Sequence, residues 1–215
     1  LATKHALIVQ GGWPGHKPLE CAELFGGLLR AKGLEVQIAD SLGVLTDEQL
    51  MSRMDLIVPM WTMGELKHEE QTGMLNAVHR GAGFAGFHGG MGDAFRMNTL
   101  YQFAVGGQFV AHPGDHLPLH GYEIVDRHHP ITQGVGNFSI PDTEQYYLHV
   151  DPSNHVLVTT TFSNGVVMPA AWTRSWGSGR VFYASWGHAP KDFDVPEARE
   201  IVLRGLLWAC GAKTA

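Results

Sequence analysis

An apolar run that feeds directly into glycines on either side of a histidine, Gly83-Phe84-Ala85-Gly86-Phe87-His88-Gly89-Gly90-Met91-Gly92, leaves the backbone few choices. The run has the length of a buried strand, the glycines permit a sharp reversal, and the stretch Arg96 to Val105 suits a helix. His88 therefore stands at the tip of a corner between strand and helix. The spacing Gly86-x-His88-x-Gly90 is that of a nucleophile elbow, where small residues relieve crowding as the central side chain is pushed out above the sheet. An imidazole there suits proton transfer or metal ligation, not the acyl intermediate that Ser or Cys would form. At a helix start the dipole disfavours imidazolium, so a neutral ring is expected.

The segments around this corner repeat its logic. His5 to Gln10 is an apolar run closed by Gly11-Gly12, and Pro18 then opens a helix with Leu19, Ala22, Phe25, Leu28 and Leu29 on one face. Glu35 to Asp40 and Asp55 to Met60 read as further strands. Thr46-Asp47-Glu48-Gln49 reads as a capping box for a short helix to about Met54, and His68 to Arg80 as a longer helix. Alternation of this kind predicts an α/β fold with a doubly wound, mostly parallel sheet, whose ligands gather at the carboxyl ends of the strands. On that rule the Gly11 to His16 loop, the Trp61 to Glu65 loop and His88 share one rim.

From 106 to 151 the texture changes. Gly, Pro and His become dense, with only Gly121 to Asp126 and Gln145 to Val150 strand-like, so an insertion lying over the rim is expected, within a single domain spanning 1–215. His155 to Phe162, Met168 to Arg174 and Arg180 to Trp186 then read as strands, the last two joined at Trp176-Gly177-Ser178-Gly179, and Pro196 to Ala209 as a closing helix.

With 215 residues, 44% of them hydrophobic and 17% charged, the chain can bury an ordinary core. A net charge of −6 without a Lys/Arg run argues against a nucleic-acid partner. No apolar run reaches transmembrane length and the amino end enters a strand without a signal-like segment, so neither a membrane nor export is expected. Cys21 and Cys210 read as isolated core residues of a reducing, cytoplasmic protein. A small symmetric homo-oligomer is expected on general grounds.

Thirteen His residues are the second clue. His16, beside the platform-like Trp13, closes the first loop, whose spacing fits no dinucleotide or phosphate fingerprint; no nucleotide cofactor is expected. Trp61 closes the third strand, and backbone N–H groups of its loop and of Gly89 could stabilise an enolate. His188, in Ser185-Trp186-Gly187-His188, stands on the rim beside the elbow. Strand alternation puts Glu144 and Tyr146 on one face, an acid/base with a hydrogen-bonding partner. His112 joins as a site residue, whereas His116, His120, His128 and His129 read as surface or structural. Their spacing matches no structural zinc pattern, so a divalent metal, Zn or Mn, would be held by His88, His188 and His16 from separate loops.

At these residues the sequence resembles the ThuA-like (trehalose utilisation) family, in the class I glutamine amidotransferase-like superfamily. The resemblance runs nearly end to end, through Gly11-Gly12-Trp13-x-Gly15-His16, Trp61-Thr62-Met63-Gly64-Glu65-Leu66, His88-Gly89-Gly90-Met91-Gly92-Asp93, Gly106-Gly107-Gln108-x-Val110-Ala111-His112-Pro113-Gly114, Glu144-Gln145-Tyr146-Tyr147 and Gly187-His188. It implies a flavodoxin-like sheet and a link to disaccharide catabolism through 3-keto sugars. Against the amidotransferases, His88 replaces the nucleophilic Cys and Pro190 the usual Glu, so glutamine hydrolysis through a thioester is not expected.

The chemistry that fits is acid–base work by His88, His188 and Glu144 on a keto-sugar or keto-disaccharide. Trp13, His16, Trp61, His112 and Tyr146 would bind the substrate, and the outcome would be elimination, hydrolysis or isomerisation. The alternative is a carbohydrate-binding or scaffold protein that kept the fold after losing the thiol. A hydrolase built on Ser185 or a bound water is a third reading.

Overall fold

The computed structural model describes residues 3–212. Its first half follows the alternation: β1 (His5–Gly12), α1 (Pro18–Ala31), β2 (Glu35–Ala39), α2 (Glu48–Met51), β3 (Leu56–Thr62), α3 (His68–Arg80) and β4 (Gly83–Phe87). A short helix, α4 (His88–Gly92), leaves the elbow at once, and α5 spans Thr99–Val105. The second half holds β5 (Gly107–Ala111), β6 (His116–Ile124), β7 (Phe138–Glu144), β8 (Tyr147–Val150), β9 (His155–Thr161), β10 (Val167–Trp176), β11 (Gly179–Ala184) and α6 (Pro196–Ala209).

Nine strands form one sheet in the order β2-β1-β3-β4-β11-β10-β9-β6-β7. The half from β2 to β11 is parallel, and from β11 outward every pairing is antiparallel. Strand alternation divides the core between two faces. Ala6 and Ile8 of β1 pack with Phe25 and Leu29 of α1 and Ile201 and Leu206 of α6, while Leu7 and Val9 pack with Met74 and Val78 of α3 and Tyr101 of α5. Cys21 and Cys210 are free and buried, and burial pushes the Cys21 thiol up to about 12.

Local signals are realised where they are short-range. Gly177 and Ser178 link β10 to β11, and α6 begins at Pro196 and ends at Ala209 as its pattern predicts. The expected capping box does not form: Asp47, not Thr46, is the N-cap, its carboxylate accepting from the Leu50 N–H with no reciprocal bond among the described residues, and α2 stops at Met51. α5 starts three residues later than Arg96, because the Asn98 side chain caps it by accepting from the Tyr101 N–H.

The stretch 106–151 differs most from its reading as an overlay. β6 and β7 continue the main sheet as its outer hairpin, and only β5 and β8 pair as a separate two-stranded ribbon. β6 begins at His116, five residues before Gly121. Pro118 is tolerated because this first part of β6 pairs only with β7, β9 joining at Glu123 and Ile124. The hairpin brings Glu144, at the end of the outermost strand, back to the parallel half.

Candidate functional site: a buried histidine–glutamate cluster

β4 ends with Phe87 in extended backbone, and His88 turns to φ 46°. A non-glycine residue in the left-handed region carries strain and persists only where its surroundings hold it. They do so here: the His88 ring donates from Nδ1 to the Ser185 carbonyl at 2.9 Å, Tyr183 Oη donates to the His88 carbonyl at 3.2 Å, and Tyr146 stacks on the ring at 3.9 Å. The side chain is 1% exposed. Gly89 is small for a reason, since a Cβ there would collide with the His16 ring and lie 2.8 Å from the Tyr146 hydroxyl.

His16 ends the turn after β1 and is fixed by a 2.7 Å hydrogen bond between its Nδ1 and Thr62 Oγ1. His188 follows β11, with its backbone N–H on Asp192 Oδ2 at 2.9 Å. Glu144 is the point on which these rings converge. Its Oε2 lies 3.1 Å from His88 Nε2, 3.3 Å from His188 Nδ1 and 3.9 Å from His16 Nε2. Its Oε1 faces outward, 3.9 Å from His112 Nε2 and 4.0 Å from His116 Nε2. His16, His88 and Glu144 are buried, and His112 and His116, about one third exposed, stand at the mouth.

One nitrogen from each of His16, His88 and His188 and one Glu144 oxygen lie within 4.8 Å of one another. Three imidazoles and a carboxylate form a donor set suited to a divalent transition metal. The His88 tautomer sharpens the fit. Burial drives this imidazole to its neutral form, down to about 3, against the raising pull of Glu144. With its one proton on Nδ1 toward Ser185, a neutral ring offers only a lone pair at Nε2. Glu144 meets that lone pair as an anion: burial raises its pKa, but the imidazoles of His16, His188 and His88 gathered around it outweigh this and hold it far below the carboxylate range. Two acceptors 3.1 Å apart need a positive charge between them, a proton or a cation.

The structure thus brings together His88, His188, His16, Glu144 and Tyr146 of the expected site, with His112 at its edge. Trp13 stands beside it, 42% exposed, with its ring 4.7 Å from that of His16 and 6.4 Å from that of His188. Trp61 lies apart from the cluster, its ring packed over Gly11 and Gly64; the next residue of β3, Thr62, is the one that reaches His16. Of the loop N–H groups after Trp61 expected as enolate donors, that of Met63 is bonded to the Asp93 carbonyl. His116 belongs to the site although its sequence context reads as surface: it is paired with Glu144 across the β6–β7 ladder, and its ring stands 4.6 Å from that of His188. His120 is structural, as expected, buried with Nε2 2.6 Å from Tyr122 Oη. Gln145 turns away from the cluster to Thr160, so alternation around Glu144 holds although β7 ends there.

The family profile described as ThuA, trehalose utilisation, matches residues 5–209. Among solved structures, a ThuA-like protein from Bacteroides uniformis superposes with a TM-score of 0.78 at 17% identity, over 98% of this chain and 94% of that one. One from Parabacteroides merdae gives 0.78 at 17% identity, over 100% and 92%. A β-galactosidase from Bacillus circulans gives 0.64 at 14% identity; it matches 99% of this chain but only 32% of its own, so the fold also occurs as part of a larger protein. No curated protein matches the sequence.

Proposed function

Since the chain belongs to the ThuA family, the family of trehalose utilisation, we propose that its buried cluster acts on a keto-sugar, a 3-keto-glycoside such as a keto-disaccharide. The observation that carries this reading is the convergence of His16, His88 and His188 on one oxygen of Glu144, which leaves the other oxygen facing the mouth. A ketone at C3 acidifies the proton on C2. Glu144, kept ionised, takes that proton on Oε1, and the C2–H electron pair becomes an enolate. When the enolate collapses to the ketone, a C1–C2 double bond forms and the glycosidic C1–O bond breaks. The departing oxygen receives the proton that Glu144 took.

His16, His88, His188 and Glu144 Oε2 would hold a divalent cation, Zn or Mn, in this reading. Bound there, such a cation would supply Lewis-acid polarisation of the keto group and so lower the cost of the enolate. The protein's own part is preorganisation: Ser185 and Thr62 fix two rings, Tyr146 packs His88, and burial keeps bulk water from the carboxylate. Trp13 offers an apolar face to a sugar ring that extends from the mouth.

The test is incubation of the purified protein with a 3-keto-disaccharide, with and without chelator, beside His88→Ala and Glu144→Gln. Consumption by wild type alone supports the reading. Saturable sugar binding without turnover in any sample would replace it with a carbohydrate-binding protein.

A further inference from the structure

Outside the cluster, one carboxylate is wholly buried and the chemistry just described does not use it. Asp192, fully buried, sits in the turn of helix Pro190–Asp194 that follows His188. Its Oδ2 accepts two hydrogen bonds, from Thr143 Oγ1 at 2.6 Å and from the His188 backbone N–H at 2.9 Å. Its Oδ1 has no partner among the described residues. Thr143 precedes Glu144 on β7, whereas His188 follows β11, and β10, β9 and β6 separate those two strands in the sheet. A single oxygen therefore ties the far edge of the antiparallel half to the rim of the parallel half, next to a site residue at each end.

Lys191 repeats the tie one residue earlier by pairing with Asp142, so two consecutive residues of the turn grip two consecutive residues of β7. The Lys191 pair is exposed, and exposed pairs hold geometry weakly. The buried carboxylate is the stronger arm. A buried Asp with an empty oxygen is costly to keep when its only return is stability, since an apolar side chain would fill the space more cheaply.

We propose that Asp192 is a positioning residue that sets the distance between Glu144 and His188, and through it the cluster's grip on a cation. This rests on the cation reading above. Groups that hydrogen-bond a ligating side chain directly typically matter by 10–100-fold in affinity; Asp192 holds the backbone of His188 and the neighbour of Glu144, so the low end, about tenfold, is expected here. Asn in place of Asp keeps an oxygen that can accept both bonds, so the geometry should survive the loss of charge.

The experiment compares Asp192→Ala, Asp192→Asn, Thr143→Val and Lys191→Ala with wild type. Zn or Mn titration, thermal unfolding and imidazole NMR are read on each. Positioning predicts that Asp192→Ala, at temperatures where it stays folded, binds the cation about tenfold more weakly. Its His188 and His88 ring signals should also shift. Asp192→Asn should stay near wild type, Thr143→Val fall between, and Lys191→Ala be unchanged. Wild-type affinity and ring signals in Asp192→Ala, with only its melting temperature lowered, would overturn the proposal and leave a purely structural role. If wild type takes up no cation, the reading in the preceding section fails. The ring signals then still decide the question: unshifted in Asp192→Ala, they remove Asp192 as a positioning residue, and shifted but restored by Asn, they keep it.

Discussion

His88 Nε2 and Glu144 Oε2 lie 3.1 Å apart, while the same ring donates its Nδ1 proton to the Ser185 carbonyl. A neutral imidazole held in that tautomer turns a lone pair toward a carboxylate. The contact is stabilising only when a proton or a cation fills it, so the cluster could hold a positive charge there.

Cation removal gives the first prediction. A site occupied at 100 times its dissociation constant stabilises the fold by about 2.7 kcal/mol, which for a chain of this size is a melting shift of roughly 5–10 °C. Calorimetry of protein prepared without a His-tag, before and after a chelator, should show that fall and its reversal by Zn or Mn. His188→Ala should melt at one temperature with and without chelator.

Glu144→Gln keeps the shape of the side chain and removes the base. Turnover of a 3-keto-disaccharide should drop by about 10²–10⁴-fold, the range for a positioned acid or base, with KM changed far less. Steady-state kinetics on wild type and variant check this. An equal loss in KM and none in kcat would assign Glu144 to binding alone.

Gly89→Ala tests the close approach at the elbow. The added methyl meets the His16 ring and the Tyr146 hydroxyl, so one of them must move. Overpacking of this kind typically costs about 1–3 kcal/mol, and here the displaced groups are site residues. Denaturant unfolding should show that loss of stability, and activity should fall further than stability accounts for. Gly27→Ala, in open space on α1, should be neutral or stabilising.

His120 supplies a pH prediction. Burial lowers its pKa from 6.5 to about 4, and its Nδ1 has no partner among the described residues. Unfolded chain therefore binds more protons than folded chain between those values, and the contribution present above 6.5 is lost as pH falls toward 4. Urea midpoints measured from pH 7 down to 4 should decline across that window. In His120→Gln, which cannot take up a proton there, the decline should be shallower.

What could be read from the sequence follows the range of the interaction that produces it. The elbow was legible because a histidine between glycines after an apolar run constrains the backbone within five residues. Thr62 was hidden by its neighbour: Trp61 is the larger and more chemically suggestive side chain, but alternation along β3 sends it to the other face. His116 was hidden by Pro118, which argues against a strand unless the stretch is known to pair on one side only. Asp192 had no readable signal, because its side-chain partner Thr143 lies 49 residues away in sequence and its nearer bond, to His188, uses only a backbone N–H that any residue would offer.

Glu144 arrives on an outer hairpin that belongs to the antiparallel wing, while the rings it meets hang from the parallel half. The proposed chemistry thus depends on two territories that must meet. The inner one would supply three imidazoles and the outer one the carboxylate, so any slippage of the wing against its neighbour would unmake the site.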